Sequence, residues 1–229
     1  MTRILSRTVA CALCGRTVEV PWLVASHRLG AADLDTRPPF MERGTIAVWV
    51  AECPGCGYCA YDLSTAGPQA ADVVKSPEHQ DIKRDPSRRA IANRFLCAAM
   101  ALDAAGAPTR AFWAALHAAW ACDDDDWQQG PTAGRLGPAS ECRAVAVGYA
   151  AKARKEGLSI ESGAGAAELV LSDVLRRAGR FGEARGMVRL GIEARPDAPI
   201  ERLLAFQKRL IARKDVACHT EDEATAGRR

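Results

Sequence analysis

The chain changes period once. In its first part, Thr17-Val18-Glu19-Val20 alternates polar and apolar as a half-buried strand does, until Pro21 interrupts it. Thr45-Ile46-Ala47-Val48-Trp49-Val50 reads as a second strand, and residues 26–44, with Gly30, Pro38, Pro39 and Gly44, read as the loop between them. Residues 64–86 hold Ser64, Gly67, Pro68, Ser76, Pro77 and Pro86 and read as a linker. After Asp85-Pro86 the spacing becomes helical: Ile91, Phe95, Ala98 and Leu102 share one face, then Phe112, Leu116 and Trp120 the next.

Residues 123–139, with four consecutive aspartates and several glycines and prolines, read as a loop, because carboxylates at a helix C-terminus oppose its dipole and should end the helix by about Cys122. Further helical faces follow: Cys142, Val145 and Tyr149 after Ser140; Leu171, Val174, Leu175 and Ala178 after Ser162; Ala184, Val188 and Gly191 after Gly179; Ile200, Leu203, Leu204, Gln207 and Leu210 after Pro199. Short connections make sequential helices antiparallel neighbours. The stretch with Leu171, Ser172, Gly179, Ala184 and Pro196 fits a tetratricopeptide-type helix pair, although Glu168 stands where that pattern prefers tryptophan. The expected fold is α+β: a small β-rich domain over 1–75, a tetratricopeptide-like all-α domain over 86–214, and a disordered polar tail over 215–229.

Chemistry sharpens the first domain. Cys11-Ala-Leu-Cys14-Gly15 and Cys53-Pro-Gly-Cys56-Gly57 are two C-x2-C-G hooks, a spacing that turns both sulfurs of each hook toward one ion. Together they predict one structural Zn2+ with Cys11, Cys14, Cys53 and Cys56 as ligands, worth on the order of 10 kcal/mol of folding free energy. Thirty-eight residues separate the hooks, against about 15–20 in a compact ribbon, so 21–44 would decorate a zinc ribbon as an insertion. Four thiolates leave no open coordination position, so this metal is not expected to be catalytic.

Nine cysteines would suggest disulfides in a small secreted protein, but the first twenty residues hold no continuous apolar core and no cleavage-like site follows. The most apolar run, Ala111–Cys122, is about a dozen residues long and contains His117, too short for a membrane span. A reduced, cytoplasmic protein is expected. The formal net charge is +3, which four thiolates around a zinc dication would bring to +1. Residues 143–214 carry 15 Lys/Arg against 8 Asp/Glu. Within that stretch Arg176, Arg177, Arg180, Arg185 and Arg189 are candidate binding residues for an acidic peptide or a phosphate backbone, the alternative being a solvated helix face.

The hooks, with Ser26-His-Arg28, Asp35-Thr-Arg-Pro38, Val48-Trp-Val50, Ala119-Trp-Ala121 and Leu175-Arg-Arg-Ala-Gly-Arg-Phe-Gly-Glu-Ala184, resemble the bacterial domain-of-unknown-function family 2225. The resemblance spans about residues 8–195, is specific at the hooks, and implies a split zinc ribbon followed by tetratricopeptide-like helices. It supplies no reaction. The family pattern runs from strand almost directly into Cys-Pro, whereas Ala51-Glu52 stand between them here.

Other residues read blandly. Cys59 forms an overlapping Cys56-x2-Cys59 pair but lacks the helix start that a redox pair needs, so it is a spare thiol beside the site. His27 reads as a solvated loop residue and His117 as packed. Cys97, Cys122 and Cys142 read as core. Gly163-Ala-Gly165 lacks the strand of a dinucleotide fingerprint. Asp123–Asp126 lack calcium-loop spacing. The expectation is therefore a non-enzymatic adaptor that binds a protein or peptide through a helical-repeat groove; the alternative is a nucleic-acid-associated ribbon factor using the basic C-terminal helices. No membrane span or small-molecule substrate is indicated, and a thiol redox enzyme would require Cys59.

Overall fold

The computed structural model describes residues 2–129 and 137–226. It is mixed as expected: short antiparallel strand pairs at the N-terminus, then helices. β1 (Arg3–Ala10) and β2 (Thr17–Ala25) form a hairpin in which Ala10 pairs with Thr17 and Leu5 with Trp22. β3 (Arg28–Leu29) pairs with β4 (Phe40–Met41), and β5 (Ala51–Glu52) with β6 (Cys59–Ala60). The helices are α1 (Ala70–Lys75), α2 (Pro77–Arg84), α3 (Ala90–Ala104), α4 (Pro108–Gln129), α5 (Pro138–Lys155), α6 (Ala166–Arg177), α7 (Phe181–Glu193), α8 (Ala198–Ala212) and α9 (Glu221–Ala226).

Several expectations change. Residues 45–50, read as strand, fall instead in a 3-10 helix over Arg43–Val48 and the bend that follows it. Thr45 and Ile46 are both buried, which alternation forbids but a helical turn allows, and the Trp49 indole N–H donates to the Thr45 hydroxyl at 2.8 Å. The expected linker holds α1 and α2, where the Ser76 hydroxyl accepts from the His79 N–H at 3.2 Å and Pro77 takes the first helical position. Helix α4 does not stop at Cys122 but runs through the aspartates to Gln129, because arginines neutralise at least Asp123 and Asp124. The rest of the expected acidic loop, 130–136, lies outside the described residues.

Residues 215–226, expected to be disordered, return to the N-terminal loop instead. Leu34 N–H donates to the His219 carbonyl at 3.0 Å, Glu221 N–H to that of Ala32 at 2.9 Å, and Asp33 bridges Thr220. The end of that expected tail, 227–229, lies outside the described residues.

The core explains the alanine content. Helix α4 packs between α3 and α5, and buried Ala92, Ala98, Ala99, Ala111, Ala115 and Ala118 let the helices approach closely around Phe95, Phe112 and Trp120. Ile46, Val50 and Cys59 join that core from the N-terminal part. A smaller cluster surrounds the hooks: Cys11, Val20, Cys53, Tyr58 and Leu63 with Ala70, Val74 and Ala101. A third lies between α6, α7 and α8, from Leu169, Leu175, Ala184, Val188, Leu204 and Ile211. The α6–α7 turn is closed at Gly179, φ +73°, with Arg180 N–H reaching back to the Leu175 carbonyl at 2.9 Å.

Candidate metal centre

The two hooks fold identically. Gly15 N–H donates to the Cys11 carbonyl and Gly57 N–H to that of Cys53, both at 2.8 Å. Cys11 N–H donates to the Arg16 carbonyl at 2.9 Å and Cys53 N–H to the Tyr58 carbonyl at 2.8 Å. Gly15 (φ +71°) and Gly57 (φ +80°) supply the left-handed residue that each turn requires. One hook caps the β1–β2 hairpin and the other the β5–β6 hairpin, so two strand pairs present their tips to each other.

The sulfurs meet. Cys11 Sγ lies 3.7 Å from Cys56 Sγ, Cys14 Sγ lies 3.6 Å from Cys53 Sγ, and all four fall within 4.8 Å of one another. Zn–S bonds of about 2.3 Å require tetrahedral S–S edges of about 3.8 Å, so the donor set fits one ion. Cys11 and Cys53 are buried, Cys56 is half-buried and Cys14 is exposed.

Electrostatics point the same way. Burial raises the Cys53 thiol, but N–H groups of Cys56 and Gly55 outweigh it and bring the thiol down to about 7. Burial pushes Cys56 up to about 12. Crowded sulfurs cannot all ionise without a cation, and a divalent ion resolves that competition. Arg16 lies against Gly55 and the Lys83 ammonium against Gly57, with Lys83 held by Glu52 at 2.8 Å.

Neighbouring candidates stay outside the cluster. His27 is exposed on the loop after β2. Cys59 is buried on β6, its thiol donating to the Gly57 carbonyl at 3.6 Å, and the neighbouring Cys97 thiol together with burial pushes it up. It sits on a strand and neighbours Cys97 rather than completing a pair with Cys56 at a helix start. His117 is enclosed by Trp49, Tyr61, Phe95 and Trp120, shares a 2.6 Å hydrogen bond with the Tyr61 hydroxyl, and is driven down to about 3 by burial, so its ring is neutral. Gly165 (φ +75°) is needed because a side chain there would press the Gly191 carbonyl at 2.9 Å, a packing reason rather than a phosphate cradle.

The expected basic groove is corrected. Arg176 and Arg177 point inward. Arg176 donates to Asp173 at 2.6 Å, Gln207 at 3.0 Å, and the Asp215 and Ala217 carbonyls at 2.7 and 2.9 Å. Arg177 spans Asp35 at 3.1 Å and Asp123 at 2.9 Å. Both are ion-paired inside a buried network with Arg143, which grips Asp123 through two bonds; the Arg177 Nε has no hydrogen-bond partner among the described residues, but its burial closes it to an external ligand. Arg180 is paired with Glu183 and Arg189 faces Glu193 at 3.8 Å, leaving Arg185 exposed. The acidic run is corrected too: Asp123 and Asp124 are ion-paired, not solvated, Asp124 with Arg37 at 2.5 Å.

Sequence reasoning missed Asp33, Asp35, Arg37, Arg143 and Asp173 as members of this network. Only the i,i+3 spacing of Asp173 and Arg176 could have signalled it. No family model, curated protein or solved structure matches the chain. No described helix is long and apolar enough to cross a membrane.

Proposed function

We propose that this chain is a non-enzymatic zinc-binding adaptor: a split zinc ribbon, as in the family 2225 pattern, that docks a partner protein and is carried on tetratricopeptide-like helix pairs. A tetrahedral set of four thiolates suits zinc, and with every position filled the ion acts as a staple. The pairs α6–α7 and α7–α8, with Ser172 and Ala184 buried, support the helical-repeat part of the reading.

One observation carries the docking role. Of ten exposed large apolar residues among the described ones, six lie in the stapled head: Ile4, Leu5, Trp22, Val24, Leu29 and Phe40. Leu5 and Trp22 are cross-strand partners, and so are Leu29 and Phe40, the latter 73 % exposed. Apolar side chains gathered on a rigid head mark a surface that a partner covers. The test is cross-linking capture with zinc-loaded protein and a Trp22→Ser/Phe40→Ser variant of unchanged zinc content and circular dichroism. Partners enriched by the parent and lost in the variant support the reading; an identical set overturns it.

A second reading, nucleic-acid association, has one feature in its favour. Arg202, Phe206, Arg209 and Arg213 fall at i, i+4, i+7 and i+11 along α8, with the Arg209 guanidinium 5.2 Å over the Phe206 ring. It predicts oligonucleotide binding that weakens steeply with salt and with reversal of these three arginines; a flat salt response removes it.

A further inference from the structure

β1 is an open edge. Among the described residues it pairs with β2 alone in a two-stranded sheet, so along its eight residues every second N–H and C=O points away from its partner strand. Such edges template pairing with another chain and are guarded by proline, inward charge, bulges or a covering element. β1 has no proline, its one register irregularity lies at its start between Arg3 and Ile4, and Ile4, Leu5, Ser6 and Thr8 are exposed.

The charge on this strand has one sign. Arg3 and Arg7 flank Leu5 on the same face. Arg3 has no partner among the described residues. Arg7 lies over the Trp22 ring at 4.0 Å and 3.6 Å from Asp62, with a third of its side chain exposed. Trp22 stands opposite Leu5, so the face presents an apolar pair between two cations.

We infer that β1 takes up an extended segment of a partner protein by strand addition, and that this segment carries acidic residues opposite Arg3 and Arg7 and apolar ones opposite Ile4 and Leu5. Run antiparallel to β1, the segment reads acid–polar–apolar–apolar–acid. Main-chain hydrogen bonds to the free edge supply affinity, and the cross-strand charge pairs set register and choice of partner. The inference rests on the adaptor reading and deepens it by naming the mode and chemistry of docking.

The test uses the full zinc-loaded chain and a fluorescein-labelled peptide with the core Glu-Thr-Val-Ile-Glu, read by anisotropy. Saturable binding is expected, about tenfold weaker for the core Lys-Thr-Val-Ile-Lys, with that preference reversed in an Arg3→Glu/Arg7→Glu variant of unchanged zinc content. An Arg3→Glu single variant, which leaves the Trp22 stacking intact, moves the same way by a smaller factor. N-methylating one alternate set of peptide amides abolishes binding and the other set does not, because only one set faces β1. Absent or charge-indifferent binding overturns the inference, as does equal tolerance of both N-methylated sets. Competition by a second copy of the chain that pairs through β1 overturns it in favour of self-association. Each of these failures leaves the capture result with the Trp22→Ser/Phe40→Ser variant standing, so loss of this mode and loss of the adaptor reading are read separately.

Discussion

Arg177 on α6 donates from Nη1 to Asp35 Oδ2 at 3.1 Å, joining residues 142 positions apart. The Trp120 indole N–H donates to the same oxygen at 2.9 Å, and the Arg143 guanidinium stands 3.8 Å from it. One carboxylate from the N-terminal loop thus holds α4, α5 and α6 together. Removing one member strands the others: Arg177→Met or Asp35→Ala should each cost about 3–5 kcal/mol, and the double variant less than their sum. Urea unfolding of the single and double variants measures the coupling.

Acid stability follows from two depressed groups. Burial holds His117 at about 3, below its ordinary 6.5, so its contribution is complete above pH 6.5 and drains as pH falls toward 3, on the order of 5 kcal/mol in all. Burial would raise Asp123, but Arg143 and Arg177 outweigh it and hold it at about 2, below its ordinary 3.8. Its contribution, about 2 kcal/mol, is present above pH 4 and lost between there and pH 2. Asp35 has the opposite sign: burial raises it despite Arg177, so its ionisation opposes stability as pH rises. Stability curves against pH should flatten between 6.5 and 3 in His117→Gln and only below 4 in Asp123→Asn.

Chelation should undo the head before the body. The hooks are joined by no disulfide, and each caps a sheet of only two strands. Stripping the ion, or replacing the fully buried Cys53 by alanine, removes a contribution on the order of 10 kcal/mol from that region. Trp22 fluorescence should shift and proteases should cut within 3–25, while far-ultraviolet helix signal falls little. Zinc released per chain, read with a chromophoric chelator, should be one.

Helix α7 meets α8 and α6 at Gly191, where an added methyl would sit 2.9 Å from Leu204 and 3.1 Å from Glu168. Both neighbours are fixed by packing, so Gly191→Ala should lose about 1–3 kcal/mol despite the better helix propensity of alanine. Gly182, with nothing near it, is the control: Gly182→Ala should be neutral or stabilising by up to about 1 kcal/mol.

What was legible in the sequence is what is local. Each hook is set within six residues by its spacing and its glycine, and the helical stripes are set by a period of 3.6. Residues 45–50 read as strand because Thr45, Ile46 and Val48 favour strands, while the Thr45 hydroxyl, donating to the Glu42 carbonyl at 2.7 Å and accepting from Trp49, tips the segment into a 3-10 turn. Arg176 and Arg177 looked like surface because nothing adjacent announces partners at Asp35, Asp123, Gln207 and Asp215. Charge that is neutralised by distant residues leaves no periodic trace.

The return of residues 215–221 to residues 32–34 has a bearing on synthesis. The carbonyls that receive Arg176, and the backbone that receives Leu34, are made only after α8. On the ribosome, the loop bearing Asp33 and Asp35 emerges early yet has no closing strap until residue 220 is clear. Until that strap is made these buried ions stand half-assembled and wet, so their desolvation waits on a segment translated about 180 residues after the loop that carries them.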